Sequence, residues 1–287
     1  MAHTSTHQES VAAYFESTVP RWEEFYCAHR VERPVYSLIY RSRLHRALAL
    51  IDGLHSKPGS RCLDAGCGPG IASIALAQRG FLVDAIDIVP QLVERTRTRA
   101  AEARVSERIS ASVGDVNELQ FPDGSFDVVV SIGVMEWQES PTRSLREMAR
   151  VVRPGGCVIL TVDNKWALRN ILDPFQYAPV AAVKRESGKL LRRLGLQRGS
   201  SGPRDRSYSI RQFDGFLADA GLEKLQGETV GFGPFPFLDW ELPTWLGLPL
   251  HRKLQHLADA KTPLLHAAGL VYITAAAKRQ ASKRQFQ

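Results

Sequence analysis

A short loop that combines a carboxylate with three glycines is the part of the sequence that most clearly indicates chemistry. Residues 64–70 read D-A-G-C-G-P-G and stand directly between a short apolar segment and a helical pattern. Glycines at such a place let the chain turn sharply and let backbone approach a ligand at the carboxyl end of a sheet. The loop therefore predicts a binding site for a nucleoside-containing cofactor.

Two kinds of cofactor compete for this loop, and three residues discriminate between them. A dinucleotide fingerprint that starts at Gly66 needs a small residue at position 71, where the chain has Ile71. Pro69 removes a backbone donor that a pyrophosphate would use. Asp64 would repel a pyrophosphate but attract a ligand that carries an ammonium and a sulfonium. The loop thus favours a cationic thioether nucleoside.

Two further acids follow the next strands in order. Asp87 ends the second predicted strand, where an acid accepts hydrogen bonds from both ribose hydroxyls. Asp115 follows the third strand, where it can accept from an adenine amino group while Val116 packs on the ring. Each acid alone also fits a helix N-cap. Their succession on three strand ends makes that alternative weaker.

The elements that must position these residues alternate between strands and helices. Apolar strands are predicted at 62–64, 82–86, 109–113, 127–131 and 157–162, with helices of ten to fifteen residues between most of them. This alternation predicts right-handed βαβ crossovers and a parallel sheet covered on both faces. The fold class is α/β, a doubly wound Rossmann-like sheet with a helical N-terminal segment and inserted cap segments.

The motifs together resemble those of the class I S-adenosylmethionine-dependent methyltransferases, most closely the small-molecule O-methyltransferases. They are L-D-A-G-C-G-P-G at 63–70, A-I-D at 85–87, G-D-V at 114–116, F-P-D-G-S-F-D at 121–127 and V-R-P-G-G at 152–156. The resemblance implies a seven-stranded sheet whose last strand, 270–275, runs antiparallel. It also implies S-adenosyl-L-methionine as cofactor and S-adenosyl-L-homocysteine as its product.

The resemblance carries over to individual residues of this chain. The implied cofactor-binding residues are Tyr14, Asp64, Ala65, Gly66, Gly68, Asp87, Ile88, Asp115, Val116 and Ile132. Many relatives read V-L-E-H after the fourth strand, whereas this chain reads V-M-E-W, and Trp137 cannot serve as a base. Trp137, Tyr36 and Trp166 are candidates for the acceptor pocket. His29 and His45 are weak candidates for a general base, although a non-catalytic histidine is the commoner case.

The chain divides into seven predicted segments. These are an N-terminal helical cap (1–58), a cofactor-binding core (59–163), a basic amphipathic cap insertion (164–207), a core helix and strand (208–230), an apolar insertion (231–268), the last core strand (269–277) and a flexible tail (278–287).

The formal net charge of +7 belongs to one segment. Residues 164–207 hold ten Lys or Arg and three acids, so the rest of the chain is balanced. Residues 180–196 place apolar side chains on one helical face and basic ones on the other, which fits either a helix in a membrane interface or a cap helix over the active site. We expect a cytoplasmic protein, peripheral to the inner membrane surface if the first alternative holds. The four cysteines form no metal-binding or disulfide pattern, so no metal is expected.

These patterns predict an enzyme that methylates oxygen on a hydrophobic or lipid-linked small molecule. N- or C-methylation of a natural product or sugar is an alternative. A nucleic-acid methyltransferase lacks support because no base-flipping motif follows the fourth strand, and no nucleic-acid partner is expected. An oxidoreductase and a non-catalytic cofactor sensor are the other classes considered. The oligomeric state has no signal in the sequence.

Overall fold

The computed structural model describes residues 7–27, 34–54, 56–173, 205–237 and 240–279. Two helices come first, where the sequence pattern had predicted one helical stretch. They are α1 (His7–Cys27) and α2 (Pro34–Asp52). Residues 28–33, between them, lie outside the described part of the chain.

A seven-stranded mixed sheet forms the centre of the molecule. In chain order the elements are β1 (Arg61–Ala65), α3 (Ile71–Gln78), β2 (Leu82–Asp87), α4 (Pro90–Glu102), β3 (Ile109–Val113), β4 (Phe126–Ser131), α5 (Pro141–Val151), β5 (Val152–Asp163), α6 (Leu168–Leu172), α7 (Ile210–Asp219), β6 (Leu222–Val230), β7 (Pro236–Phe237), β8 (Trp240–Glu241), α8 (Thr244–Asp259) and β9 (Val271–Lys278). Single 3₁₀ turns lie at Ser106–Arg108, Met135–Trp137 and Leu265–Ala267.

The strand order of the sheet is β3-β2-β1-β4-β5-β9-β6, and β7 with β8 forms a separate ribbon. β9 pairs antiparallel with both β5 and β6, while the pairs from β3 to β5 are parallel. The predicted seven-stranded sheet with an antiparallel last strand is confirmed. The chain reverses its winding direction between β1 and β4, which is where α/β proteins of this type bind ligands.

The sheet is buried on both faces because its central strands are apolar on both sides. On one face, Val128, Val130 and Ile159 pack with the apolar stripes of α2 and α3. On the other face, Val129 and Val158 pack with α5 and α7. Alternate residues of a strand point to opposite faces, so the continuous valine run of β4 serves both layers.

Helix boundaries follow local hydrogen bonds. The Ser140 hydroxyl accepts from the Thr142 backbone N–H at the start of α5. Ser209 and Gln212 form a reciprocal capping box at the start of α7, which fixes where that helix begins after the segment outside the described residues.

Three elements differ from the sequence prediction. The P-G-G sequence at 154–156 predicts a turn before the fifth strand, but it lies inside β5, as an irregularity opposite β4 where the register shifts between Phe126 and Val128. The sequence pattern predicts a strand near 225–230, whereas β6 begins three residues earlier, at Leu222. The segment 231–268, predicted only as an apolar insertion, contains the 16-residue helix α8. Among the described residues no helix is long and apolar enough to cross a membrane.

Candidate active site

A large pocket opens at the carboxyl ends of β1, β2 and β4. It encloses about 1210 Å³ of space, part of which is open to solvent. Its lining comes from the glycine loop, the ends of β2 and β4, the segment 114–117, and one face each of α1 and α2. The pocket therefore joins the sheet, which carries the motifs, to the two N-terminal helices, which do not.

The glycine loop exposes backbone to this pocket. Gly66 has φ +83°, and a Cβ at that position would overlap Cγ2 of Val134. The N–H groups of Gly66 and Cys67 both donate to the carbonyl of Ile86 at 2.8 Å, which ties the loop to β2. Any side chain at position 66 would push the loop away from β4, so the close approach requires glycine.

Asp64 is buried at the base of the loop, with 1% of its surface exposed. The Ser73 hydroxyl donates to its Oδ2 atom. Burial raises the pKa of Asp64, the Ser73 hydrogen bond opposes the rise and the nearby Asp87 carboxylate adds to it, so that the pKa is about 6. The carboxyl is therefore ionised at neutral pH, in surroundings that favour a cation beside it.

Asp87 and Asp115 follow at the ends of the next two strands. Asp87 accepts from the Val89 N–H through Oδ1 and from the Gly68 N–H through Oδ2, each at 2.9 Å, and burial raises its pKa. Asp115 accepts from Asn117 through Oδ1 and from the Gln8 side-chain amide at 2.7 Å through Oδ2. Both carboxylates are thus oriented in the pocket wall by hydrogen bonds.

Helix α1 covers this side of the pocket, and it does so with Phe15 where the resemblance implied Tyr14. Phe15 lines the pocket and meets the Trp137 ring edge to face at 5.0 Å. Tyr14 lies against Trp137 at 5.4 Å and is not part of the described lining. The difference arises because neighbouring helical residues point about 100° apart.

The structure brings most of the expected cofactor residues together. Those in the pocket wall are Asp64, Gly66, Gly68, Asp87, Ile88, Asp115, Val116 and Ile132. Ala65 is buried in the sheet below them. Of the acceptor candidates, Trp137 lines the pocket.

Three other candidates lie outside the pocket lining, and a fourth is not among the described residues. His45 is exposed on α2, because it stands two residues from the pocket-lining Arg43 and so faces away from the site. Trp166 is 59% exposed. Tyr36 contacts Arg169 and stacks on Tyr40 at 6.3 Å, outside the lining. His29 lies outside the described residues.

Two charged residues of the pocket were missed from the sequence. Arg43 and Glu136 are 4% and 5% exposed, and their closest side-chain atoms, Nη1 and Oε1, lie 3.5 Å apart. Arg43 also donates to the Tyr26 hydroxyl through Nη2. A sequence signal existed: Arg43 interrupts the i, i+4 stripe formed by Ile39, Ala47 and Ile51, and a charge on a buried stripe indicates function.

Burial and, to a smaller extent, the Asp163 carboxylate raise the pKa of Glu136, and the Arg43 guanidinium opposes the rise, so that the pKa is about 8. Asp163 itself has a pKa raised to about 6, again by burial. The pocket therefore holds a carboxyl that exchanges its proton close to neutral pH.

Sequence and structure comparisons agree with this geometry. A family model described as a methyltransferase domain matches residues 63–160. The 27-O-demethylrifamycin SV methyltransferase of Amycolatopsis mediterranei (strain S699) is 31% identical over 206 residues, which are 71% of this chain and 69% of that protein. A ubiquinone biosynthesis O-methyltransferase of Xanthomonas campestris pv. campestris is 37% identical over 109 residues, 38% of this chain and 45% of that protein. The chain thus spans about half the length of this second relative.

Among solved structures, the magnesium protoporphyrin IX methyltransferase of Synechocystis PCC 6803 with bound S-adenosylhomocysteine superposes with a TM-score of 0.63. It is 19% identical and covers 95% of this chain and 100% of its own, a likeness that shows the fold alone.

The chain belongs to the class I S-adenosylmethionine-dependent methyltransferases. It is an enzyme, and S-adenosylmethionine is its cofactor. Within the described residues no group of three or more His, Cys, Asp or Glu is placed to hold a metal ion.

Proposed function

We propose that this enzyme methylates an oxygen of a hydrophobic small molecule. The proposal rests on the composition of the part of the pocket wall that the family motifs do not form. Its apolar wall comes from Val11, Val19, Leu44 and Trp137, and its polar groups are those of Tyr26, Arg43 and Glu136. A largely apolar wall with a few convergent polar groups is typical of a site for a hydrophobic ligand.

The lining of the pocket supports a second reactant. The family motifs form the glycine-loop side, whereas α1, α2 and the turn after β4 supply the rest of the wall. This second part of the wall is available to an acceptor beside the cofactor.

The residues of the glycine side carry the groups that the cofactor needs. In our proposal Asp64 receives the ammonium group and Asp87 receives the ribose hydroxyls. Asp115 exchanges its bond with Gln8 for one with the adenine amino group, and Val116 packs against the ring. When bound, S-adenosylmethionine supplies a methyl group that is already activated by its sulfonium. The protein then has to orient two reactants and exclude water.

The relatives support oxygen as the methylated atom. The printed names of the Amycolatopsis and Xanthomonas proteins describe O-methylation, and the first of them spans 71% of this chain. The acceptors in those names belong to those proteins. For this chain we propose only the reaction type and the preference for a large, hydrophobic acceptor.

The test is methyl transfer from radiolabelled S-adenosylmethionine into fractionated cell extract. We expect label in base-stable products that partition into organic solvent, since ethers resist alkali. A Gly66→Ala variant is the control for label that is transferred without the cofactor site. Label confined to polar metabolites, to nucleic acid or to amines would contradict the proposal.

Contact with a membrane surface is a separate proposal that depends on residues 180–196, which lie outside the described part of the chain. The sequence of that segment places apolar side chains on one helical face and basic ones on the other, which supports membrane contact. Liposome flotation with and without anionic lipid tests it. We expect binding to anionic liposomes at low salt, and the absence of binding there would remove this proposal while leaving O-methylation intact.

A further inference from the structure

The Arg43–Glu136 pair is the most unusual charged feature of the pocket, and it lies outside the motifs that serve the cofactor. Arg43 comes from α2 and Glu136 from the 3₁₀ turn after β4, 93 residues apart in the chain. Both line the pocket, together with Ile132 and Gly133 at the end of β4. The resemblance places the methyl-bearing end of the cofactor beside Ile132, so the pair stands next to the expected reaction centre.

The pair is incompletely bonded. Glu136 Oε2 and Arg43 Nε are buried and have no hydrogen-bond partner among the described residues. Leaving such atoms unsatisfied destabilises the folded protein, and most of all when the groups are charged. A fully bonded ion pair would use these atoms, whereas here one acceptor and one donor of two pocket-lining residues are left without a partner among the described residues.

A hydroxyl group is the ligand that matches a free carboxylate oxygen, because it donates to the oxygen through its hydrogen. A carboxylate ligand would match the guanidinium but would meet the negative charge of Glu136. An amine would meet the positive charge of Arg43. The two free atoms together therefore select a neutral O–H group among the common methyl acceptors.

We propose that Glu136 is the general base of the reaction, that Arg43 positions it, and that the acceptor presents an acidic hydroxyl, a phenol or enol, to the free Oε2 atom of Glu136. This inference rests on the proposed O-methylation.

The electrostatic surroundings of Glu136 suit that role. The charged or titratable groups that face it or its partner are Arg43 and Tyr40 from α2, Tyr26 from α1, Asp163 from β5 and Asp205 from the segment before α7. Burial and the Asp163 carboxylate raise the pKa of Glu136, and Arg43 limits the rise, to about 8. A base with a pKa near the working pH is most efficient for a proton as acidic as that of a phenol.

The step balances in atoms and electrons. A lone pair of the acceptor oxygen forms the new O–C bond with the methyl carbon. The C–S bond breaks, and its electron pair stays on sulfur as a neutral thioether. The hydroxyl proton passes to Glu136 Oε2 and leaves to water when the products depart. One proton is released for each methyl group transferred.

Gly133 keeps the pair in place. It has φ +77°, and a Cβ there would lie 2.8 Å from Arg43 Nη2. Its N–H donates to the Thr161 hydroxyl at 2.8 Å, which fixes the turn after β4 against β5. The guanidinium thus occupies the space that a side chain at this position would fill.

The first test replaces Glu136 by Gln, which keeps the shape and removes the base. We expect kcat to fall by about 100-fold or more. The dissociation constant for S-adenosylhomocysteine should stay within about threefold, because Glu136 lies outside the cofactor motifs. The matched control is Glu139→Gln, an exposed residue three positions away. Equal activity of E136Q and the wild-type protein would overturn the proposal.

The pH profile separates a base from a structural residue. In the wild-type enzyme kcat should rise with pH through a value near 8 as Glu136 loses its proton, and E136Q should lack that limb and keep only the ionisation of the acceptor itself. If E136Q does not fold, Glu136→Asp tests the same point, because a base one carbon shorter should retain part of the activity and move the limb. An unchanged limb in either variant would assign the ionisation elsewhere and overturn the proposal.

The acceptor class is tested with three probes of similar length, 4-nonylcatechol, 1-decanol and decanoic acid. We expect methylation of the catechol and of neither other probe. Methylation of decanoic acid, or of none of the three while lipids of the extract are methylated, would overturn the hydroxyl assignment. If the extract also yields no organic-soluble product, the proposed function itself fails, which distinguishes the two results.

Discussion

The cofactor side and the acceptor side of the pocket are built in different ways. On the cofactor side, the polar groups of Asp64, Asp87 and Asp115 all accept hydrogen bonds from residues of the chain. On the acceptor side, Arg43 and Glu136 each keep a buried polar atom without a partner among the described residues. The first side is shaped by backbone and local motifs, and the second by two charges that only the tertiary fold brings together.

Gly66→Ala should give the largest effect on the cofactor side. The new methyl group would overlap Val134 and displace the loop, so we expect affinity for S-adenosylhomocysteine to fall by more than about 100-fold in calorimetry. Gly59→Ala is the matched control, because Gly59 has the same φ of +83° with no neighbouring atom within 4 Å. Equal losses in both variants would mean that backbone strain, and not the close approach to β4, explains the effect.

Asp64→Asn should lower the affinity for the cofactor and raise the stability of the ligand-free protein. Removal of the carboxylate takes away the partner of the ligand ammonium, so affinity should fall by about 10- to 100-fold. The ligand-free protein should gain stability, because a pKa raised from 3.8 to about 6 corresponds to about 3 kcal/mol of unfavourable burial of the charge. That cost is absent below pH 4 and complete above about pH 6, so the gain should appear at neutral pH.

Thermal unfolding at pH 7.5 measures this gain, and Asp84→Asn is the control. Asp84 belongs to the neighbouring strand, where it pairs with the exposed Arg61. A loss of stability in Asp64→Asn would show that its hydrogen bond with Ser73 matters more than the desolvated charge.

Cofactor binding should weaken at acidic pH, because Asp64 then loses its negative charge. The carboxyl binds a cation only when ionised, so affinity should fall as pH drops through about 6. At pH 5 we expect about tenfold weaker binding than at pH 7.5. Asp64→Asn should show a much shallower dependence, with the remaining slope due to Asp87, whose pKa is also raised by burial. Calorimetry from pH 5 to pH 7.5 measures the affinity of the wild-type protein and of Asp64→Asn. Parallel curves of affinity against pH would refute the assignment of this ionisation to Asp64.

Gln8→Ala should give the smallest effect. Its amide occupies Asp115 Oδ2, the atom that we expect to receive the adenine amino group. Loss of this competitor should tighten cofactor binding by about two- to fivefold, as one hydrogen bond contributes about 1 kcal/mol or less. The exposed neighbour Glu9→Ala is the control. Weaker binding in Gln8→Ala would indicate that the glutamine contacts the ligand directly.

The same difference explains what the sequence could predict. The cofactor side rests on contacts close in the chain, such as Asp64 with Ser73 and Gly68 with Asp87, so its residues appear in short motifs. The sheet could be predicted equally well, because the apolar runs of β4 and β5 and their spacing determine that both faces of the sheet are covered.

The acceptor side could not be predicted in the same way. His45 and Arg43 both lie on α2, and only the register of the helix against the sheet decides which of them enters the pocket. The same register places Phe15 where Tyr14 was expected. In the sequence Trp137 stands out because many relatives carry histidine there, whereas its neighbour Glu136 does not stand out. A periodicity analysis of α2 would have revealed the buried arginine, but not its partner.

The missing β-carbon of Gly133 has a consequence for protein engineering. A methyl group at this one position would expel the guanidinium from beside Glu136 while the cofactor loop, formed by other elements, kept its shape. Position 133 should therefore stay glycine in a mutant library that aims to change which molecules the enzyme methylates, because a side chain there would displace the residue that positions the proposed base.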